Sequence, residues 1–468
     1  MLSQREAEAI EIEKIGENLS PNMRALRLTM GIASQLLSMG ASASNVAHMA
    51  LGITNTYCAR KVHIDISYTV ITLSQDRGND REPLTLTRTI MITDTNYQTV
   101  QRLQKLAKAI RSKQLTLTAA EKAYDRILAM PKQRPEWVKY VSGGGIGAGV
   151  SILYSGSLAI VALTFCIGFI ISWGIDRLYK IGIPAFFVQA AAALFATLTA
   201  GTVSWAMSAG YLDILSYINP TLIIIGGIVL LVSGMAIVAA LQDAIDEYYL
   251  TASARLLKVT MLTGGIVMGV TVGLYVTKWF GIDFATTPDR LSLATTTYQY
   301  LGSGIIAAAF ALGNNSKFIA VLLAGGVGLL GHYSSLLGLE LGIGLIPSYG
   351  IAAAIIGFSA TMFSRLWRVP SMAVINAGII PLVPGLSLYN GLMHVIQNPA
   401  WTLQFDEGVS ILLRAFLIAV TIAAGATIGN IIGRPMRRKL VQLHSRLPYR
   451  KLSPASPEPE QPRPPIEP

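Results

Sequence analysis

One apolar stretch of the chain carries two prolines and a glycine within five positions, Pro381-Leu-Val-Pro384-Gly385. The surrounding run is long enough to cross a lipid bilayer as a helix. Proline removes a backbone donor and clashes with the preceding turn, so an uninterrupted helix is excluded here. Lipid cannot hydrogen-bond the freed carbonyl groups, and such a break survives only where protein or a polar cavity covers it. The stretch therefore predicts an interrupted membrane span beside a site inside the membrane.

A similar segment occurs earlier in the chain. Leu231-Val-Ser-Gly234 aligns with Leu382-Val-Pro-Gly385, and each motif follows a proline, Pro220 or Pro370, by about a dozen residues. One more apolar span follows each motif. Paired interrupted segments at corresponding positions of two halves indicate the binding site of a transporter. The two segments therefore predict an internal repeat.

The charge distribution separates the apolar region from its flanks. Hydrophobic residues make up 52% of the chain and charged residues only 13%, which argues against a soluble protein. The net charge is +6 in residues 1–140, zero in 141–433 and +5 in 434–468. Basic ends around a neutral membrane region predict cytoplasmic termini in a cell membrane and require no nucleic-acid partner.

Periodicity and charge divide the chain into five regions. Residues 1–22 are predicted to be a disordered arm, and 23–135 a cytoplasmic α/β domain with strands near Val62–Tyr68, Val70–Leu73 and Leu84–Ile92. Residues 141–280 and 297–433 each contain five apolar spans, and 434–468 form a basic, then proline-rich, cytoplasmic tail.

The predicted fold class is an α-helical polytopic membrane protein with an N-terminal cytoplasmic α/β domain. It has about ten transmembrane helices arranged as two five-helix repeats. Because five is an odd number, the second repeat is inverted relative to the first. Whether residues 141–175 form one bent span or two is left open.

The residues around the two breaks resemble the bacterial threonine/serine exporter family. The second half carries the resemblance in Arg365-Leu-Trp-Arg368-Val-Pro370 and Gly378-Ile-Ile-Pro-Leu-Val-Pro-Gly-Leu-Ser-Leu-Tyr389. The first half is similar to the family's other module in Leu-Val-Ser-Gly234, Leu241-Gln-Asp243 and Thr251-Ala-Ser-Ala-Arg255. The resemblance covers nearly the whole chain, with both modules fused.

This resemblance implies an inner-membrane antiporter that exports small hydroxylated amino acids and is driven by the proton gradient, not an enzyme. Two-chain relatives with the same modules are associated with succinate, so an exporter of dicarboxylates is the alternative. The expected partners are an amino-acid substrate, protons and the lipid bilayer, and a homo-oligomer is compatible with the sequence. Cys58 and Cys166 form no zinc or disulfide framework, and no metal or cofactor is expected.

A zwitterionic substrate needs donors for its carboxylate and an acceptor for its ammonium group. The ends of interrupted helices supply charge-complementary backbone groups. We therefore predict substrate binding by residues at and beside the two breaks, with polar side chains there bonding the substrate hydroxyl. These residues are Ser233, Gly234, Asn376, Pro381, Pro384, Gly385, Ser387 and Asn390.

Proton coupling requires a titratable group near the path, and charged residues inside spans are costly enough to suggest a function. Asp243, shortly after the first break, is the candidate. The alternative is an interfacial residue at the cytoplasmic helix end, grouped with Asp246 and Glu247. Arg414 is a candidate ligand for a substrate carboxylate, although an arginine near the interface often extends to water instead.

A membrane-anchored enzyme with chemistry in residues 23–130 is a second class of function. His63, Asp65 and Ser67 share one face of a strand, but successive same-face side chains lie about 7 Å apart, too far for a direct relay. The solvated face of a half-buried strand explains them better. The glycine-rich run of residues 143–149 has no preceding strand, which favours close helix packing over a nucleotide loop.

Overall fold

The computed structural model describes residues 20–78, 81–130, 134–154, 157–209, 220–231, 234–282, 293–367, 369–398 and 402–446. Four helices and three strands come first and are called the N-terminal unit. Its elements are α1 (Pro21–Ser38), α2 (Ala43–Tyr57), β1 (Val62–Ser67), β2 (Val70–Gln75), β3 (Leu84–Thr89), α3 (Tyr97–Arg111) and α4 (Leu117–Ala129).

The N-terminal unit encloses its own hydrophobic core. The strands pair antiparallel in the order β1-β2-β3, and the helices cover one face of the sheet. Leu26, Ile53, Ile71 and Leu103 are among its fully buried residues, contributed by α1, α2, β2 and α3. The predicted strands are therefore found within one to three residues of their expected bounds.

Local signals explain where α1 begins and ends. The hydroxyl of Ser20 accepts the N–H of Met23 at 3.3 Å, and Pro21 occupies the first helical position. Helix α1 therefore begins at Pro21, two residues before the predicted start of the domain at residue 23. Gly40 follows the helix with a φ of +85°, a conformation in which glycine carries no steric penalty.

The remaining helices are called the membrane unit. They are α5 (Trp137–Tyr154), α6 (Leu158–Lys180), α7 (Ala185–Ser208), α8 (Pro220–Leu231), α9 (Gly234–Ile245), α10 (Tyr249–Trp279), α11 (Thr296–Gly313), α12 (Phe318–Glu340), α13 (Leu345–Leu366), α14 (Ser371–Ile379) with a 3₁₀ turn (Ile380–Leu382), α15 (Gly385–Gln397) and α16 (Leu403–Arg446).

Within the described residues, six of these helices are long and apolar enough to cross a membrane, namely α6, α7, α10, α12, α13 and α16. Two bent pairs raise the number to eight if each pair is one span. The pair α8 and α9 bends by 42°, and the pair α14 and α15 by 46°. The chain is thus a polytopic membrane protein, and its two bends occur at the two segments predicted to be interrupted.

Helices α5 and α11 do not belong to the strongly apolar set, because both are rich in small residues. The two helices pack against each other. Ser142 Oγ donates to the carbonyl of Ala309 at 2.6 Å near one end of the pair. The N–H of Ala294 donates to Leu153 O at 2.9 Å near the other. The two helices are therefore antiparallel: α5 runs away from the N-terminal unit and α11 runs towards it.

Glycines make this close approach possible. A Cβ at Gly147 would lie 2.6 Å from the carbonyl oxygen of Thr164 on α6, and a Cβ at Gly149 would lie 3.0 Å from that of Gly302 on α11. Neither position has room for a side chain, so the glycine-rich run contacts helices on two sides. Its interpretation as a helix-packing motif is confirmed.

The two halves of the membrane unit repeat the same order of elements. Helices α6 and α12 both have 23 residues, and a glycine of positive φ follows each, Gly182 at +89° and Gly342 at +73°. On α10, a Cβ at Gly269 would collide with the carbonyl of Ala190 on α7. On α16, a Cβ at Gly429 would collide with the carbonyl of Ala354 on α13.

The second helix of each bent pair packs on the next helix of its own half and also reaches the opposite half. Ile237, Val238 and Leu241 of α9 belong to the hydrophobic cluster that includes α13, α14 and α16. Tyr389 and Met393 of α15 belong to the cluster that includes α6, α7, α8 and α10. The second helices of the two interrupted spans therefore lie between the halves.

Candidate functional site

A cavity of about 150 Å³ lies between the two bends. A cavity of similar size accepts a molecule as large as benzene. Helices α5, α8 and α11 and the 3₁₀ turn after α14 supply its walls. The lining residues are Ile146, Val150, Leu153, Tyr154, Val229, Leu230, Ile306, Phe310, Ile380, Pro381, Val383 and Gly385.

Both bends border this cavity. Val229 and Leu230 lie in the last turn of α8, directly before the first bend, and Pro381 and Gly385 lie on either side of the second. The side chains around the cavity are apolar except for the phenol of Tyr154. The other polar groups at its wall therefore belong to the main chain.

Proline produces the local geometry of the second bend. Pro384 has no N–H to donate to the carbonyl of Ile380. The N–H of Val383 donates to that carbonyl instead, at 3.2 Å, and this bond makes the turn a 3₁₀ turn. Helix α15 then begins at Gly385, which lines the cavity. The cavity thus faces the positive end of a helix dipole.

The predicted binding residues are distributed unevenly around the cavity. Pro381 and Gly385 line it, and Pro384 is buried between them. Gly234 is the first residue of α9, and Ser233 lies outside the described residues. Of the seven predicted residues that the structure describes, two therefore contact the cavity directly.

Ser387 and Asn390 lie farther along α15 and are partly buried. Neither lines the cavity. Within the described residues, the amide oxygen of Asn390 is buried and has no hydrogen-bond partner. This polar atom is available to a ligand or water that reaches α15, one turn and a half beyond Gly385.

Asn376 points towards the N-terminal unit. Its amide donates a hydrogen bond to the hydroxyl of Tyr97 at 3.1 Å. Tyr97 is 3% exposed, and burial raises the pKa of its phenol to about 12, so the hydroxyl stays neutral. The backbone N–H of Tyr97 donates to Asn314 O at 3.0 Å. Asn376 thus connects α14 with α3, a role that sequence reasoning missed.

Asp243 is fully buried and paired with Arg255. Arg255 Nη1 lies 2.8 Å from Asp243 Oδ2, and the N–H of Ala43 donates to Asp243 Oδ1 at 3.0 Å. Arg255 Nη2 also donates to the carbonyl of Ala41 at 3.1 Å. The carboxylate therefore lies near the end of α9 where the span meets the N-terminal unit, away from the cavity lining.

Arg414 is exposed on α16 and is not among the residues of the cavity wall. In the part of the chain that the structure describes, no three His, Cys, Asp or Glu residues are grouped closely enough to hold a metal ion. Sequence reasoning also missed the walls that α5 and α11 contribute. The glycine spacing in α5 was the available signal, because it indicated a helix packed on two sides.

Comparison with known proteins assigns both halves of the chain. A family model described as "Putative threonine/serine exporter" matches residues 27–277, and one described as "Threonine/Serine exporter, ThrE" matches residues 299–432. The "Threonine/serine exporter" of Corynebacterium glutamicum is 30% identical over 420 residues, which cover 88% of this chain and 83% of the relative.

A second relative is the "Probable threonine/serine exporter" of Mycobacterium tuberculosis. It is 29% identical over 426 residues, covering 88% of this chain and 77% of the relative. No solved structure matches the chain.

Proposed function

Since this chain belongs to the threonine/serine exporter family, we propose that it binds a small hydroxylated amino acid in the cavity between its two bends and exports it. The family consists of transporters, so the chain is a transporter and not an enzyme. The observation that carries the binding-site proposal is that one cavity is bordered by both interrupted spans.

The chemistry of the cavity suits this class of substrate. The start of α15 at Gly385 offers a positive helix end to the substrate carboxylate, and carbonyl groups at the end of α8 offer a negative end to the ammonium group. Tyr154 is the polar side chain of the wall and a partner for the substrate hydroxyl. Ser233, Gly234, Ser387 and Asn390 would join the site if substrate extends along the bends.

Alternating access between two inverted halves is the proposed transport mechanism. The matching order of elements supports two five-span repeats, α5–α10 and α11–α16, in which each bent pair counts as one span. The antiparallel arrangement of α5 and α11 gives the second repeat the opposite direction. In this proposal the protein lies in the bacterial inner membrane and its N-terminal unit is cytoplasmic. Both termini are then on the cytoplasmic side.

Proton coupling is proposed at Asp243. It is a fully buried carboxylate, and its ion pair with Arg255 joins α9 to α10 where both meet the N-terminal unit. Loss of its charge on protonation would remove the ion pair and free the end of the first interrupted span. Transport would then depend on the proton gradient through a change in the contacts of α9.

Transport by inside-out membrane vesicles tests the proposed function, because export then appears as uptake. Labelled threonine, serine and succinate are supplied under an imposed proton gradient. We expect uptake of threonine or serine that a protonophore abolishes. Uptake of succinate alone would replace the substrate with a dicarboxylate, and uptake insensitive to the protonophore would contradict proton coupling.

A further inference from the structure

The first interrupted span and the next helix, α10, are bonded to the N-terminal unit at three points. Asp243 of α9 accepts the N–H of Ala43, the first residue of α2, and Arg255 of α10 donates to the carbonyl of Ala41, in the turn before it. Thr251 Oγ1 accepts the N–H of Tyr68 at 3.0 Å and donates to Ile66 O at 3.2 Å, where β1 turns into β2. These contacts are called the first latch.

The second interrupted span is bonded to the same unit by other residues. Asn376 of α14 donates to the hydroxyl of Tyr97, and Met372, one turn earlier, packs against the core of the N-terminal unit. Tyr248, between α9 and α10, packs against the same core from the first half. The Asn376–Tyr97 hydrogen bond and the Met372 contact are called the second latch.

Helices α5 and α11 are in contact on the side of the N-terminal unit. Ser142 Oγ is bonded to the carbonyl of Ala309 there, and a Cβ on Gly313 would collide with the Ser142 hydroxyl. The lining residues of the cavity on α5 run from Ile146 to Tyr154, away from the N-terminal unit, and on α11 the lining reaches Phe310, next to this contact. Helices α5 and α11 thus separate the cavity from the N-terminal unit.

We propose that the N-terminal unit locks a gate on its own side of the cavity, where α5 and α11 are in contact, and that it does so through the first and second latches. The proposal rests on the proposed function, because a gate requires a transport cavity. The latches attach one compact body to α9 and α10 of the first half and to α14 of the second half. Alternating access moves the halves relative to each other, and this body opposes such movement until one latch opens.

Cysteine labelling measures gate opening directly. The reporter is Val150→Cys in a chain in which Cys58→Ala and Cys166→Ala remove the native thiols. Val150 lines the cavity and is 3% exposed. A membrane-impermeant maleimide is added to vesicles whose N-terminal unit faces the medium, and the labelling rate is followed without substrate.

The test variant combines Tyr97→Phe and Thr251→Val, which removes hydrogen bonds from both latches at almost constant shape. We expect roughly tenfold faster labelling, because several neutral hydrogen bonds together shift an opening equilibrium by about that factor. The matched control combines Tyr57→Phe and Thr263→Val. The Tyr57 hydroxyl bonds Leu115 O inside the N-terminal unit, and that of Thr263 bonds Val259 O inside α10.

Equal labelling rates in the test and control variants would overturn the proposal that the latches hold the gate shut. Labelling of the same cysteine from the opposite face shows whether the membrane unit of each variant is folded. If the double variant does not fold by that criterion, Tyr97→Phe and Thr251→Val are measured singly. Unchanged labelling rates in both single variants would equally overturn the proposal. The result needs no substrate, so failure of the wild-type chain to export threonine would contradict the proposed function alone.

Discussion

Arg255 Nη1 lies 2.8 Å from Asp243 Oδ2, and the two side chains are 12% and 0% exposed. The pair joins α9 to α10, and both members also bond the main chain where the turn after α1 leads into α2. A carboxylate and a guanidinium thus hold two spans and the N-terminal unit at one point. Loss of either charge leaves the other buried without compensation.

Asp243→Asn keeps the shape of the side chain and removes its charge. We expect it to lower the free energy of unfolding by about 3 kcal/mol or more, because a buried guanidinium loses its counter-charge. Thermal unfolding of the purified protein measures this. Asp94→Asn breaks the Lys139–Asp94 pair, whose carboxylate is 83% exposed, and we expect a cost below about 1 kcal/mol.

The coupling between the two charges provides a stricter check. Arg255→Gln should cost far less in the Asp243→Asn background than in the wild-type chain, because the pair is already broken there. Equal costs in the two backgrounds would show that the ion pair contributes nothing to stability.

Tyr97 gives the protein an alkaline sensitivity. Burial raises the pKa of its phenol from 10 to about 12, so the folded protein retains a proton that the unfolded chain loses. The resulting contribution to stability is complete below pH 10 and is lost as the pH rises towards 12. We expect Tyr97→Phe to reduce the loss of free energy of unfolding between pH 10 and 12 by roughly 3 kcal/mol. Unfolding temperatures recorded between pH 9 and 12 that fall equally in both proteins would contradict the assignment.

Adjacent glycines on α10 offer a test of the contact between α7 and α10, whose counterpart in the second half is the contact between α13 and α16. A Cβ at Gly265 would lie 2.6 Å from the carbonyl of Phe186, whereas at Gly264 its nearest neighbour would be 4.0 Å away. Gly265→Ala should therefore cost about 1–3 kcal/mol through overpacking. Gly264→Ala should be neutral or slightly stabilising because alanine favours the helix. A thermal-unfolding comparison in which both behave alike would contradict the close packing of α7 and α10.

Local patterns in the sequence predicted most of the elements. Pro381 and Pro384 each lack a backbone N–H and clash with the preceding turn, so a kink or break at the second bend follows from covalent geometry. Alternating side chains from Val62 to Ser67 likewise specify a strand with one buried face. On the other face, Ser67 Oγ donates to Asp65 Oδ2 at 3.1 Å, so these two side chains meet although the strand spacing alone predicted about 7 Å between them. These features depend on neighbours within a few positions of the chain.

Contacts between distant segments were beyond local patterns. Asp243 and Ala43 are 200 positions apart, and Asn376 and Tyr97 are 279 positions apart. Nothing in the sequence near Asn376 distinguishes a side chain that faces a cavity from one that faces another domain. The contacts that α9 and α15 make with the opposite half were unpredictable for the same reason, because apolar helices carry no local mark of their packing partner.

The central claim is that substrate binds in the cavity between the two bends, and filling that cavity tests it most directly. Gly385→Leu places a side chain at the cavity wall, and Gly326→Leu, on α12, adds the same group where nothing lies within 4 Å. Uptake of labelled threonine by inside-out vesicles, normalised to the amount of folded protein, is the measurement. We expect Gly385→Leu to lose roughly tenfold or more of the transport rate, since steric overlap costs about 1–3 kcal/mol, and Gly326→Leu to transport normally. Normal transport by Gly385→Leu would contradict the account.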